Sequence, residues 1–581
     1  MSAKLIRGGM VADGNGDAPR RADIRILDGL IAEVGPDLRP GADEEVVDAT
    51  GLLVTPGYVD VHTHYDGQAT WDDQLAPSCW HGVTTVVMGN CGVGFAPVRP
   101  GKEQGLVELM EGVEDIPGTA LHEGMTWGWE TFGEYLDVLD GRRWMMDVGT
   151  QVPHAAVRAY VMGDRALEPQ ADADEIERMR QIVHDGVAAG ALGVSTTRIL
   201  AHRTSKGESV PGTFADEAEM LALASALKDL GTGVFEVVPR GMDGEVSEEA
   251  HAELAWMGRV AEQTGRPVVF SLVQTHTEFD RFRTLMDSAA EMQARGIQIH
   301  PEIAARPTGI HWSMDGVHIP FSTRPSYQAL AHLPRAERVV EMRKPEVRAR
   351  ILADTDGDFR HPDAKMFLTN FNNMFPVRAP MNWEPTADES MAGFARKAGV
   401  TPQEYCYDYL TENDGRNLIL RPTTNYTSFT LKEVHEMLAH PASLYGLGDG
   451  GAHCGMACDA SSQTLMLAFW TRDRSKGPKL EIGQAVRMMT RDTAEVYGLH
   501  DRGRIEPGYR ADLNLIDYDR LEVLLPEMVW DLPTGARRLM QRAKGYVATF
   551  VAGEQTIAND EATGALPGRL IRGAQPAPAL H

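Results

Sequence analysis

From residue 57 onward, short apolar runs alternate with longer stretches whose apolar positions recur at helical spacing. Eight runs read as strands: 59–64, 84–89, 146–151, 192–196, 234–238, 268–273, 297–303 and 444–449. Helical patterns lie between them. Ser247, followed by Glu248 and Glu249, predicts a capped helix over 247–263 that stops at Gly265. Segments 174–189, 217–230 and 280–294 follow the same pattern, the last closed by Gly296. Alternating strands and helices predict an α/β fold with a mostly parallel sheet. Eight such units predict a TIM-like (β/α)8 barrel. A doubly wound open sheet is the competing arrangement.

The flanks have a different rhythm. Ile24, Ile26 and Leu27 precede Asp28-Gly29, and Leu30, Ile31, Ala32 and Val34 follow, which predicts a hairpin. Segments 508–517 and 546–551 alternate in the same way near the other end. Both ends are therefore expected to build one small composite β-sandwich beside the barrel. The expected division is 1–56 and 499–581 for the sandwich and 57–498 for the barrel. The regular spacing breaks after residue 303, and a long insertion is expected at about 305–440. Insertions of this kind serve as lids, as binding elements or as structural additions. No internal repeat or low-complexity linker interrupts the pattern.

Composition narrows the function classes. The 581 residues include 83 acidic and 56 basic side chains, a net charge of −27. Such a chain is a poor binder of nucleic-acid phosphates and no polybasic membrane binder. Five cysteines are too few and too unpaired for a disulfide framework, so a reducing, cytoplasmic setting is expected. The first residues lack the apolar stretch of a signal peptide, and no run of about 18 apolar residues predicts a membrane span.

The sharpest chemical feature is Val59-Asp60-Val61-His62-Thr63-His64. Side chains alternate along a strand, so His62 and His64 point the same way. They stand at the C-terminal end of the first strand, where barrel active sites lie. Two imidazoles so placed suit a transition metal such as zinc. Cys91, in Gly89-Asn90-Cys91-Gly92, ends the second strand and is a candidate thiolate ligand; a small buried hydrophobe is its plainer role. Asp449, in Gly446-Leu447-Gly448-Asp449-Gly450, ends the eighth. It can touch a metal and take a proton from its water, or serve as an ordinary turn residue. Other patterns fail: His435 and His440 are five apart and face different sides of a helix, and Cys454 and Cys458 lack a second pair.

These residues resemble the amidohydrolase superfamily, and within it the N-acyl-D-amino-acid deacylase (D-aminoacylase-like) branch. The resemblance rests on Thr55-Pro56-Gly57 through His62-Thr63-His64-Tyr65-Asp66, His81-Gly82-Val83-Thr84-Thr85 through Cys91-Gly92, Gly190-Ala191-Leu192-Gly193, Gly448-Asp449-Gly450, Gly503-Arg504-Ile505 through Asp512, and 564–569. It implies a barrel with a composite β-sandwich and a metal-dependent hydrolase, usually with zinc. It implies that His62 and His64 bind metal, that Cys91 is a ligand able to bridge two ions, and that Asp449 is the catalytic acid/base.

The chain departs from that family at the fifth and sixth strands, where the family has two further metal histidines. Here 235–240 and 270–276 place none in register, and 192–196 has no lysine. One Zn2+ held by His62, His64, Asp449 and Cys91 is the preferred arrangement, with two ions as the alternative. Glu236 is a candidate replacement ligand, and His276 a second. The expected reaction is hydrolysis of a non-peptide C–N bond, most simply in an N-acyl amino acid, by metal-activated water. Arg198 and Arg306 are candidate clamps for a substrate carboxylate. His202 and His453 are candidate pocket residues. The expected partner is a small-molecule amide, with no nucleic acid or membrane; a homo-oligomer is left open. A cyclic amide or carbamate hydrolase is the alternative reaction, and a non-catalytic barrel scaffold the alternative of another class.

Overall fold

The structure, a computed structural model, describes residues 3–242, 246–316, 318–357 and 367–579. It is a mixed α/β arrangement. Eight parallel strands follow one another along the chain: β1 (Tyr58–Asp60), β2 (Val83–Met88), β3 (Asp147–Thr150), β4 (Gly193–Thr197), β5 (Val234–Val238), β6 (Val268–Ser271), β7 (Ile299–Ile303) and β8 (Leu444–Tyr445). β1 pairs with β2, and β2 with β3. β3 resumes after Gln151 as Val152–Pro153, which pairs with β4. From β4 each strand pairs with the next as far as β8. A parallel bridge between Thr63 and Gly450 ties the segment after β1 to the segment after β8.

All eight expected strands are present, with shifted ends. β1 stops at Asp60 and β8 at Tyr445, short of His64 and Asp449. Beyond these points the two segments bond chiefly to each other and to Val87, and a regular ladder gives way to irregular backbone. The strands are buried almost throughout, as parallel strands covered on both faces must be.

Helices cover the outer side. Ala173–Ala189 opens with a capping box between Asp172 and Glu175, and Glu217–Leu230 is capped by Asp216. The helix expected from Ser247 begins later, at Ala250, and ends at Thr264 before Gly265. Ser247 lies inside a preceding 3-10 turn and makes no cap bond, because its hydroxyl is a turn away from the first free amides. No helix of the described residues is long and apolar enough to cross a membrane.

Strands from both chain ends share one nine-stranded sheet. Leu53–Pro56 pairs antiparallel with Leu513–Ile516 at the join. Asp28 and Gly29 make the expected hairpin, both with positive φ, between Arg20–Leu27 and Leu30–Gly35. The stretch between β7 and β8 has its own hydrophobic cluster, including Trp312, Phe321, Met342, Tyr407 and Ile419. It also has its own antiparallel sheet of Thr308–Trp312, Ile419–Thr424 and Phe375–Pro376.

A buried charge cluster fastens the end sheet beneath the parallel strands. Asp147, at the start of β3, lies 2.8 Å from Arg502 and 2.9 Å from Arg510. Its other oxygen accepts the amide of Arg569 at 3.0 Å. Removing one member leaves buried charge without compensation. Asp147→Ala is therefore expected to lower stability by about 3 kcal/mol or more. Urea unfolding followed by circular dichroism checks this, and an unchanged midpoint would show that the cluster is not a fastening.

Candidate metal centre

The site is built where the ends of β1, β2 and β8 meet. The carbonyl of His62 accepts the amide of Asp449 at 2.9 Å, and His64 donates its amide to Gly450 at 2.7 Å. Thr63 donates to Val87 at 3.1 Å. The segment is thereby held extended, and His62 and His64 lie on one side of it. The loop after β8 passes close over two carboxylates. A Cβ at Gly446 would collide with Glu302, and one at Gly448 with Asp60. Cys91, Leu447, Asp449 and His453 all have left-handed backbone, with φ of 55°, 56°, 47° and 50°. Such conformations are unfavourable for side-chain-bearing residues and gather at functional sites.

Four donor atoms converge. Cys91 Sγ lies 3.4 Å from His62 Nε2 and 3.9 Å from His64 Nε2. Asp449 Oδ1 lies 3.5 Å and 3.6 Å from the same two nitrogens. Zinc bonds of about 2.0–2.3 Å at tetrahedral angles place neighbouring donors roughly 3.3–3.6 Å apart. The donor set fits one transition-metal ion, and His62, His64 and Cys91 form a buried group that could hold one.

The next layer orients these donors. Glu302, on β7, is fully buried and meets His62 Nδ1 at 3.0 Å. Its other oxygen accepts the amide of Leu447 at 3.0 Å. With a metal bound, the pairing would keep the ring hydrogen on Nδ1 and free Nε2 to face Cys91 and Asp449. Glu114, the last residue of the helix Glu103–Glu114, stands 3.4 Å from His64 Nδ1 and 3.8 Å from His453 Nε2. Glu302 carried a sequence signal, an acid inside a buried apolar strand. Glu114 carried none, since a helix end in a long connection looks the same wherever it points.

The cavity over these donors has a volume of about 310 Å3. Ile199, Val238, Met242, Val273 and Leu447 give it apolar walls, and Ser271, Thr308, Thr423 and Thr424 add neutral polar groups. His202 and His453 also line it. Thr197 fixes the His202 ring at 2.9 Å, and burial pushes its pKa down to about 4. Neither lysine nor arginine is among the described lining residues. A larger cavity, about 530 Å3, lies between 380–384, 465–476 and 519–523, without converging histidines or cysteine.

Asp449 and Glu236 show opposite electrostatics. Burial acts to raise the Asp449 carboxyl, but the hydrogen bond from His64 and the charges of His62 and His453 outweigh it and hold it below the usual carboxylate range. Burial dominates at Glu236 and pushes it up to about 8.

Several expected site residues take other positions. Glu236 accepts the backbone amide of Cys91 at 3.0 Å and is outside the converging donors, so it braces that turn. His276 is not among the residues lining the cavity. Arg198 is bound by Glu253 at 2.9 Å and by the carbonyl of Ala215. Arg306 is bound by Asp459 at 2.9 Å, the Cys458 carbonyl at 2.6 Å and the Ser461 hydroxyl at 2.9 Å. Neither arginine lines the cavity. Their charges are already spent on buried partners, which corrects the clamp expectation for both.

Known proteins can be set beside this geometry. A D-aminoacylase from Alcaligenes xylosoxydans xylosoxydans is 30% identical over 305 residues, which cover 52% of this chain and 57% of that one. An N-acyl-D-glutamate deacylase from the same organism is 26% identical over 535 residues, covering 91% of this chain and 90% of its own. The solved N-acyl-D-glutamate deacylase of Bordetella bronchiseptica, complexed with zinc and a phosphonate inhibitor, matches with a TM-score of 0.62 at 23% identity. That match covers 98% of this chain and 99% of that one, and shows a shared fold. The family model described as "Amidohydrolase family" matches residues 45–557, and the chain belongs to that family.

Proposed function

We propose that this chain hydrolyses a non-peptide C–N amide bond, that of an N-acyl amino acid, with one zinc ion held by His62, His64, Cys91 and Asp449. The observation that carries this reading is the convergence of four donor atoms from three separate chain segments beneath a cavity. The mouth positions of β5 and β6 support a single ion, because Val238, Ser271 and Val273 stand there and offer no imidazole. In this reading the eight parallel strands close as a (β/α)8 barrel over 57–498. Residues 1–56 and 499–581 form the composite sandwich, and the insertion at about 305–440 roofs the cavity with Thr308, Thr423 and Thr424.

Buried carboxylates support a resident cation. Asp60, Asp66, Glu114, Glu236 and Glu302 surround two imidazoles, all nearly inaccessible. Burial pushes Asp60 and Asp66 up to about 7. Burial likewise holds the Cys91 thiol well above its usual range, against the pull of His62. A positive ion at the donors would reverse that balance and stabilise the thiolate.

Zinc bound there would supply a Lewis acid for the scissile carbonyl and lower the pKa of water to about 7. The protein's own part is proton handling and orientation. Asp449 has 18% of its side chain accessible, whereas the neighbouring Glu302 has none. It faces the cavity as an anion and can accept a proton from the attacking water. It can then pass that proton to the departing amine. Glu302 keeps His62 in the tautomer that presents Nε2. The apolar walls exclude competing water from the acyl group.

Asp449→Asn is expected to keep the metal and lower kcat by about 10²–10⁴-fold on an N-acyl amino acid. A variant with near-normal kcat would sink the proton-transfer role. The paired change His62→Ala and His64→Ala is expected to abolish zinc binding, read by elemental analysis after metal loading; full occupancy would end the ligand assignment. Glu302→Gln is expected to weaken zinc affinity about 10–100-fold, measured by competition with a chelating dye. Unchanged affinity would leave Glu302 as packing alone.

A further inference from the structure

The loops that follow β4 and β8 meet on one helix. Glu103–Glu114 packs so closely against the first loop that a Cβ at Gly112 would collide with the backbone of 203–205. The carbonyl of Glu108 accepts the amide of Ser205 at 3.1 Å, and its carboxylate pairs with Lys206 at 2.7 Å. The end of the same helix holds the second loop. The carbonyl of Glu114 accepts the amide of His453, and the carboxylate of Asp115 accepts the amide of Gly455 at 3.1 Å. One histidine from each loop, His202 and His453, lines the cavity over the metal donors. His453 is held there in left-handed backbone at φ 50°, a conformation that side-chain-bearing residues keep where function requires it.

Each ring is anchored at one nitrogen and open at the other. Thr197 meets His202 Nδ1 at 2.9 Å, and Glu114 Oε2 faces His453 Nε2 at 3.8 Å. His202 Nε2 and His453 Nδ1 have no hydrogen-bond partner among the described residues. The Thr197 hydroxyl can donate to His202 Nδ1, which leaves the ring hydrogen on Nε2. Burial keeps this ring neutral, with its pKa pushed down to about 4. At His453 burial acts the same way, but the charges of Glu114, Asp449, Asp459 and Asp115 outweigh it and raise the pKa. The charges of Glu114, His453, His64 and Asp449 all act on the His202 ring, so the two histidines border the space in which Asp449 and the metal donors meet.

We propose that His202 and His453 are a pair of catalytic hydrogen-bond donors that hold the acyl oxygen of the substrate and steady the negative charge gathering on it. This role rests on the amide-hydrolase reading above and adds two residues to its chemistry. As the water oxygen bonds to the acyl carbon, the C=O π pair moves onto the acyl oxygen, and Asp449 takes the water's proton. When the C–N bond breaks, that pair returns and the amine leaves with the proton. Neither histidine gains or loses a proton. Donors fixed beforehand by a helix need no reorganisation as the charge develops, and this makes them effective. The described lining residues offer that charge no lysine or arginine.

The test uses the zinc-loaded enzyme with N-acetyl-leucine, in both stereoisomers, and with the methylphosphonamidates that replace the acetyl carbonyl by a tetrahedral anionic centre. His202→Phe is expected to lower kcat about 10²–10³-fold with KM nearly unchanged, and to weaken phosphonamidate binding by the same factor. Zinc affinity, read with a chelating dye, should not change. His202→Gln, which keeps an N–H, should recover part of the loss. His453→Gly, which suits the left-handed backbone, should lower kcat and phosphonamidate affinity together. Lost zinc affinity, or equal loss for substrate and phosphonamidate, would make the rings structural, and an unchanged kcat would show that they do not touch the acyl oxygen; each overturns the proposal. If the wild type cleaves neither stereoisomer, the hydrolase reading fails separately. Calorimetry with the phosphonamidates then decides on the histidines: binding about 10²-fold weaker in His202→Phe supports the donor role, and equal or absent binding refutes it.

Discussion

Two backbone hydrogen bonds hold this site together, from Asp449 to His62 at 2.9 Å and from His64 to Gly450 at 2.7 Å. They join the ends of the first and last parallel strands. Each fixes a donor by its backbone, so the side chains need little further ordering to meet. The rest of the local structure follows from that seam. The loop must skim Glu302 and Asp60, which requires glycine at 446 and 448. It must also turn Asp449 inward, which places it in left-handed backbone at φ 47°. β7 and β8 must lie side by side although a long insertion separates them, and their parallel pairing at Glu302 and Ile303 does this.

Charge sets the second constraint. Burial pushes a carboxylate toward its neutral form unless positive groups face it. Asp449 and Glu236 are both close to the histidines, yet they diverge. At Asp449 the hydrogen bond from His64 and the charges of His62 and His453 outweigh burial and keep it anionic, while at Glu236 burial outweighs the pull of His62 and the Cys91 amide and raises it to about 8. One environment suits proton transfer and the other suits bracing. Separating two nearby acids in this way is how a single site assigns different roles to the same chemical group.

The alternation of strand and helix was legible in the sequence because buried parallel strands read as continuous apolar runs. His62, His64, Cys91 and Asp449 were legible because each ends such a run, beside glycine or in period-two spacing. The strand ends were less so. Nothing in 61–64 distinguishes a ladder from a segment clamped by a loop that arrives much later in the chain. Arg198 and Arg306 were misread for a related reason. Their places after β4 and β7 are those of site residues, but the partners that neutralise them, Glu253 and Asp459, lie on other elements. Local pattern reports where a charge starts, not which opposite charge it meets. Glu236 misled in the same sense: its strand position points toward the centre, and its carboxylate ends on the amide of Cys91.

The division of labour between the two parts of the molecule follows from these pairings. The candidate metal donors come from the ends of parallel strands, where backbone hydrogen bonds of the core hold them in place. The insertion has its own sheet and its own apolar cluster, so it can hold side chains over the cavity without disturbing that core. Thr308, Thr423 and Thr424 already reach the cavity from it. In the proposed enzyme, bond cleavage therefore belongs to the strand ends, while the insertion shapes the cavity above them with neutral hydroxyl groups, and a change in one need not unmake the other.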